Sequence, residues 1–113
     1  MTDVNSELET ILSGLSVKAV YASPAECETL PIVSYYLLSE KGGFSCDNEE
    51  SMMDVQVQLD IWAKEGYQCG MISLELNALL RKYGFQRELA LDVPKGEDGI
   101  CHRTMRFVKS YIM

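Results

Sequence analysis

Cys101 and His102 form the one adjacent cysteine–histidine pair in the chain. A thiolate–imidazole dyad needs both side chains within hydrogen-bond reach, whereas neighbours on a strand point to opposite faces. The pair therefore predicts an apolar Cys101 and a surface His102, not a nucleophile with its base. Asp54 and Asp60 share a face of one candidate strand but stand six residues apart, roughly 20 Å. Carboxylates that divide acid–base work lie about 5–10 Å apart, so both read as solvated strand residues. Asp47-Asn48-Glu49-Glu50, with Asp54, could in principle ligate a hard cation. The run lacks the alternate-residue spacing and turn glycine of a calcium loop, and an ordinary acidic loop is the expectation. Gly42-Gly43 and Gly96-Glu97-Asp98-Gly99 lack the lysine, hydroxyl and helix start of a phosphate cradle. Trp62 interrupts the polar face of its strand, which predicts an indole packed under a helix or lining a pocket. These residues support no catalytic, cofactor or metal site.

The cysteines Cys27, Cys46, Cys69 and Cys101 include no closely spaced ligand pair, which disfavours a structural zinc site. The expectation is free, partly buried thiols. Met1-Thr2-Asp3 lacks the basic start and apolar run of a secretory signal, so the chain is expected to stay where it is made. No apolar run approaches the roughly 20 residues that span a bilayer. Seventeen acidic against ten basic residues give a net charge of −7. Nucleic-acid affinity comes largely from lysine and arginine on phosphates, so this balance argues against nucleic-acid binding.

The 113 residues are the length of one domain, and residues 1–113 are read as a single one. Val4, Leu8, Ile11, Leu12 and Leu15 recur at helical spacing and predict a first helix capped by Asp3. Val17 to Ala22 is β-prone. Pro31 then opens a strand through Ile32 to Leu38, a position where a missing N–H costs least. A long irregular stretch follows, with Gly42-Gly43, Phe44 and the acidic run. Met53, Val55, Val57, Leu59 and Ile61 alternate with Asp54, Gln56, Gln58, Asp60 and Trp62, the clearest strand pattern in the chain. At roughly 30 Å this strand should lie inside the sheet and pair with the 32–38 strand.

Glu65 to Tyr83 predicts a second helix, ended by Gly84 at the position that needs positive φ. Its main apolar stripe is Cys69, Ile72, Leu76, Leu79, Leu80 and Tyr83. A second stripe, Tyr67, Met71, Leu74 and Ala78, has no use on an isolated monomer and is the candidate subunit interface. Phe85 to Leu91 alternates, with Phe85, Arg87, Leu89 and Leu91 on one side. After a turn-rich stretch, the last strand runs from Ile100 to Met113, with Cys101, Met105, Phe107 and Tyr111 opposite His102, Thr104, Arg106 and Ser110. The expected fold class is α+β: a mostly antiparallel sheet of four to five strands with two helices packed on it.

Four segments come in a familiar order: Leu30-Pro31-Ile32-Val33-Ser34-Tyr35, Val57-Gln58-Leu59-Asp60-Ile61-Trp62, Tyr83-Gly84-Phe85 and His102-Arg103-Thr104-Met105-Arg106-Phe107. The series resembles the phage tail completion proteins, also called tail-to-head joining or tail terminator proteins. Ser34 stands where that family more often has threonine. The resemblance implies an α+β subunit that assembles with itself, typically as a six-membered ring, at the head-proximal end of the tail tube. Its partners would be the tail tube protein and the head connector protein, with DNA passing through the lumen without specific binding. It brings no enzyme activity, no cofactor and no membrane. The implied location is the host cytoplasm during assembly and then the tail–head junction of the virion. Phe44, Asp47, Glu49 and Glu50 would then belong to a loop that meets a neighbour or the lumen, where acidic groups would keep DNA from sticking. Alternatives are a head-closure or neck connector protein, and a small-molecule-binding module that uses Trp62 and nearby tyrosines.

Overall fold

The computed structural model describes residues 4–21, 30–42, 52–94 and 99–112. Along them run α1 (Val4–Leu12), β1 (Lys18–Tyr21), β2 (Ile32–Gly42), β3 (Met52–Ala63), α2 (Gly66–Lys82), β4 (Gln86–Val93) and β5 (Cys101–Ile112). The strands form one sheet in the order β1-β2-β3-β5-β4. The fold is α+β as expected, with two helices and a five-stranded, mostly antiparallel sheet; β1, however, pairs with β2 in parallel. The proposed loop residues Phe44, Asp47, Glu49 and Glu50, the N-cap Asp3, and Cys27 and Cys46 lie outside the described residues.

The alternation of β3 explains its central position. Val55, Val57, Leu59 and Ile61 are at most 1% exposed, so the strand must have neighbours and a cover on that face. It pairs antiparallel with β2 on one side, as expected, and with β5 on the other, placing Leu59 between Tyr35 and Met105. Both helices cover this face. Val4, Leu8, Ile11 and Leu12 of α1 and Cys69, Ile72, Leu76 and Leu80 of α2 join the odd-numbered β3 side chains in one buried cluster. No helix among the described residues is long and apolar enough to cross a membrane.

A capping box between Glu65 and Gln68 opens α2. Its far end is a Schellman turn: the Phe85 N–H donates to Leu80 O at 3.0 Å and the Gly84 N–H to Arg81 O at 3.0 Å. Gly84 takes φ +92°, the conformation that favours glycine, and a Cβ there would also press on Lys109 Cε at 3.3 Å. Tyr83, expected on the buried stripe, is 43% exposed because it is the cap, where the chain leaves the helical path. The alternation expected through Phe85 to Leu91 also fails. A register shift between Arg87 and Leu89 places Ala90 opposite core Met105, while Leu91, opposite Thr104, is left 43% exposed.

Candidate functional site

Two surfaces stand out: the outward side of α2 and the sheet face opposite the helices. The expected second stripe of α2 is solvent-facing. Tyr67 is 68% exposed, Met71 65% and Leu74 73%, and Ala78 is exposed as well. At 3.6 residues per turn they lie about half a turn from Cys69, Leu76 and Leu80, facing directly away from the core. An apolar groove of about 460 Å³ continues the stripe, lined by Val17, Pro31, Tyr67, Met71, Ile72 and Glu75 among others. Glu75 forms one rim and is held in place by the Ser16 N–H and hydroxyl, at 2.9 and 2.7 Å.

The other sheet face is built by cross-strand register. Trp62 sits opposite His102, Asp60 opposite Thr104, and Gln58 opposite Arg106. The Trp62 and His102 rings stack at 3.8 Å and 15°, and Trp62 Nε1 donates to Ser34 Oγ at 3.2 Å. Asp60 Oδ1 accepts from the Thr104 hydroxyl at 2.7 Å and lies 2.8 Å from His102 Nε2. Asp60 Oδ2 accepts from Gln58 Nε2 at 3.3 Å, and Arg106 Nε donates to Gln58 Oε1 at 3.2 Å. Further along, Gln56 Nε2 donates to Glu88, and the Ser110 hydroxyl donates to Asp54 at 2.6 Å.

Three expectations are corrected here. Asp60 is only 8% exposed, because its diagonal and cross-strand neighbours cover it and supply its donors. His102 is half-buried, screened by the Trp62 ring. Trp62 packs on the face away from the helices, since its even-numbered position points there. Antiparallel register was the missing signal: once Leu59 is set against Met105, the Trp62–His102 and Asp60–Thr104 pairs follow. Asp54, by contrast, is exposed as expected.

Asp60, His102 and Thr104 resemble parts of a triad, but the Thr104 hydroxyl spends its proton on Asp60 and is 3.5 Å from His102 Nε2. Among the described residues, no buried side-chain nitrogen or oxygen lacks a hydrogen-bond partner. Cys101 points to the helix side, away from His102, as its strand position predicted. Cys69 and Cys101 are buried free thiols. Cys69 lies 3.5 Å from Cys101 O, and burial, followed by the neighbouring Cys101, pushes its thiol above the ordinary value. A thiol held protonated in this way is a poor nucleophile. No group of three or more potential metal ligands occurs among the described residues.

At the end of the molecule near α1, Lys109 Nζ donates to Glu7 at 3.2 Å and to Tyr83 O at 2.8 Å, capping α2. The Tyr111 hydroxyl donates to Glu7 Oε2 at 3.1 Å. Burial and then the Glu7 carboxylate raise the Tyr111 phenol above its usual 10.0; burial also raises Tyr35. With folded values above unfolded ones, the neutral phenols stabilise the fold fully below about pH 10. That stabilisation is lost as pH climbs towards the folded values. We expect stability to fall above about pH 10, and Tyr111→Phe to flatten part of the fall while costing about 1 kcal/mol at neutral pH. Urea denaturation on either side of the window reads both effects, and identical alkaline slopes would count against this role for Tyr111.

No protein-family model matches the chain, and comparison with curated proteins gives no match.

Proposed function

We propose that this chain is a structural subunit of a phage or prophage particle, which forms a ring on the head-proximal end of the tail tube and joins tail to head. The observation that carries the reading is the apolar stripe on the outer side of α2. A helix serving one core needs one stripe, and Tyr67, Met71 and Leu74 are each at least 65% exposed. Such a surface is kept for another protein, and in a ring that protein is the adjacent subunit.

The segments behind the family resemblance support the same reading by their placement. Ile32 to Tyr35, Val57 to Trp62 and His102 to Phe107 lie side by side on β2, β3 and β5, the three interior strands. Tyr83-Gly84-Phe85 is the Schellman turn beside them. The resemblance thus belongs to a contiguous structural unit and not to scattered surface positions. The net charge of −7 suits a ring through which DNA must pass without adhering.

Leu74→Asp and Met71→Asp test the reading. Both positions are exposed, so the folded domain should lose no more than about 0.5 kcal/mol, with an unchanged circular dichroism spectrum. Electron microscopy of either variant mixed with tail tubes should then find no rings on tube ends. A variant that unfolds would place the stripe in the core; one that still caps tubes would remove it from the interface.

A further inference from the structure

We propose that Cys69 and Cys101 form a redox-sensitive pair, two thiols that hydrogen peroxide closes into a disulfide joining the first turn of α2 to the start of β5. The pair is independent of the ring reading.

The chain brings these residues together by a short return. β3 ends at Ala63 and α2 begins at Gly66, so the helix turns back over the buried side of the sheet. Cys69 comes to rest beside the end of β3, its sulfur 4.0 Å from Ile61 O. β5 is the antiparallel neighbour of β3, and its register sets Cys101 against Ala63. Both cysteines are buried in the same apolar cluster.

Two independent distances bring the sulfurs within reach. Cys69 Sγ lies 3.5 Å from Cys101 O. A carbonyl oxygen is about 2.4 Å from its own Cα, so Cys101 Cα is at most about 6 Å from that sulfur. From the other side, Cys101 Sγ lies 4.0 Å from the point where a Cβ on Gly66 would stand. Gly66 and Cys69 are neighbours on one helix face, and helical side chains lean towards the N-terminus. Cys69 therefore leans towards the turn against which Cys101 Sγ rests. Rotation of the two side chains, with a small shift at the start of α2, meets the spacing a disulfide needs.

A cavity of about 230 Å³ gives access, lined by both cysteines with Gly66, Asp92, Val93 and His102. Gly66 and Asp92 are exposed, so the cavity reaches the surface there, and peroxide is small enough to enter it. Peroxide oxidises one thiol to a sulfenic acid; its O–O bond breaks and one oxygen leaves as water. The second sulfur attacks the sulfenic sulfur and forms the S–S bond, and the departing hydroxide takes the thiol proton as a second water. Two thiols and one peroxide thus give one disulfide and two waters, with two electrons passing from sulfur to oxygen. Burial, Cys101 and Asp92 keep the Cys69 thiol protonated against the pull of Arg103, so closure is slow and needs sustained oxidant. The closed bond ties α2, with its exposed Tyr67, Met71 and Leu74, covalently to the sheet.

Incubating the folded protein with hydrogen peroxide, blocking the remaining thiols and mapping its peptides by mass without reductant tests the pair. The fragment holding Cys69 should be joined to the fragment holding Cys101 with the loss of two hydrogens, and dithiothreitol should separate them. The bond closes a separation of 32 residues in the unfolded chain, so the oxidised protein should melt about 5 °C or more above the reduced one. Cys69→Ala and Cys101→Ala should each abolish the linked fragment and the gain in Tm. Mapping of the wild type decides the matter even where a variant fails to fold. The proposal is overturned if both thiols stay free, or if they advance separately to sulfinic acids. It is equally overturned if either sulfur joins Cys27, Cys46 or a second chain instead, or if the linked form melts below the reduced one.

Discussion

Replacing Phe107 with alanine is expected to lower the stability of the fold by about 3–5 kcal/mol, the range for deleting a buried aromatic ring. Phe107 is fully buried, on the helix-covered face of β5, where it pairs with Val57 on β3 and Arg87 on β4. Its ring belongs to the cluster that joins both helices to the sheet, so the cavity opens where neither strand nor helix can close it alone. A domain of this size has roughly 5–15 kcal/mol in all, and the variant would sit near the edge of folding. Urea denaturation should give a much lower midpoint with an unchanged slope. A loss below about 1 kcal/mol would mean that this part of the core collapses freely around the gap.

Asp60→Leu is expected to cost about 1–3 kcal/mol, for a different reason. The carboxylate accepts from Thr104 and Gln58 and is 2.8 Å from His102 Nε2. Leucine fills the space but leaves the Thr104 hydroxyl, 8% exposed as a residue, with its donor unmet. Adding Thr104→Val should recover much of the loss, because removing both partners together is nearly neutral where removing one is not. Asp60→Asn, which keeps an acceptor, should cost less than Asp60→Leu. The Trp62 indole, stacked on His102, offers a fluorescence reading of the same network. If Asp60→Leu matched the parent in stability, the network would be incidental packing.

Much of this architecture is legible in the residues. The period of α1, the alternation of β3 and the glycine at 84 each express a local rule, and each element appears where that rule puts it, except that α1 ends at Leu12, short of Leu15. The outward position of Tyr67, Met71, Leu74 and Ala78 follows from helix period alone. Features that depend on two segments at once were not legible. The parallel pairing of β1 with β2 is a property of the sheet as a whole. The register shifts at Leu37/Ser39 and Arg87/Leu89 insert residues without a local mark, and the second reverses which of Leu89 and Ala90 points inward. Asp60 looked solvated because two of its polar partners, His102 and Thr104, come from β5, more than forty residues on. The Asp60–His102–Thr104 network is thus a consequence of register and not of any motif.

The same distinction bears on function. A strand face with no motif became a hydrogen-bonded polar surface, while a helix stripe without a partner in its own chain is the observation on which the proposed ring rests. On the proposed reading, this chain ends a tail tube as a ring. Electron microscopy of the wild-type protein mixed with purified tail tubes tests it most directly. Rings seated at one end of each tube are expected, with tubes that no longer lengthen when more tube protein is added. Bare tube ends, with elongation continuing in the presence of excess protein, would contradict it.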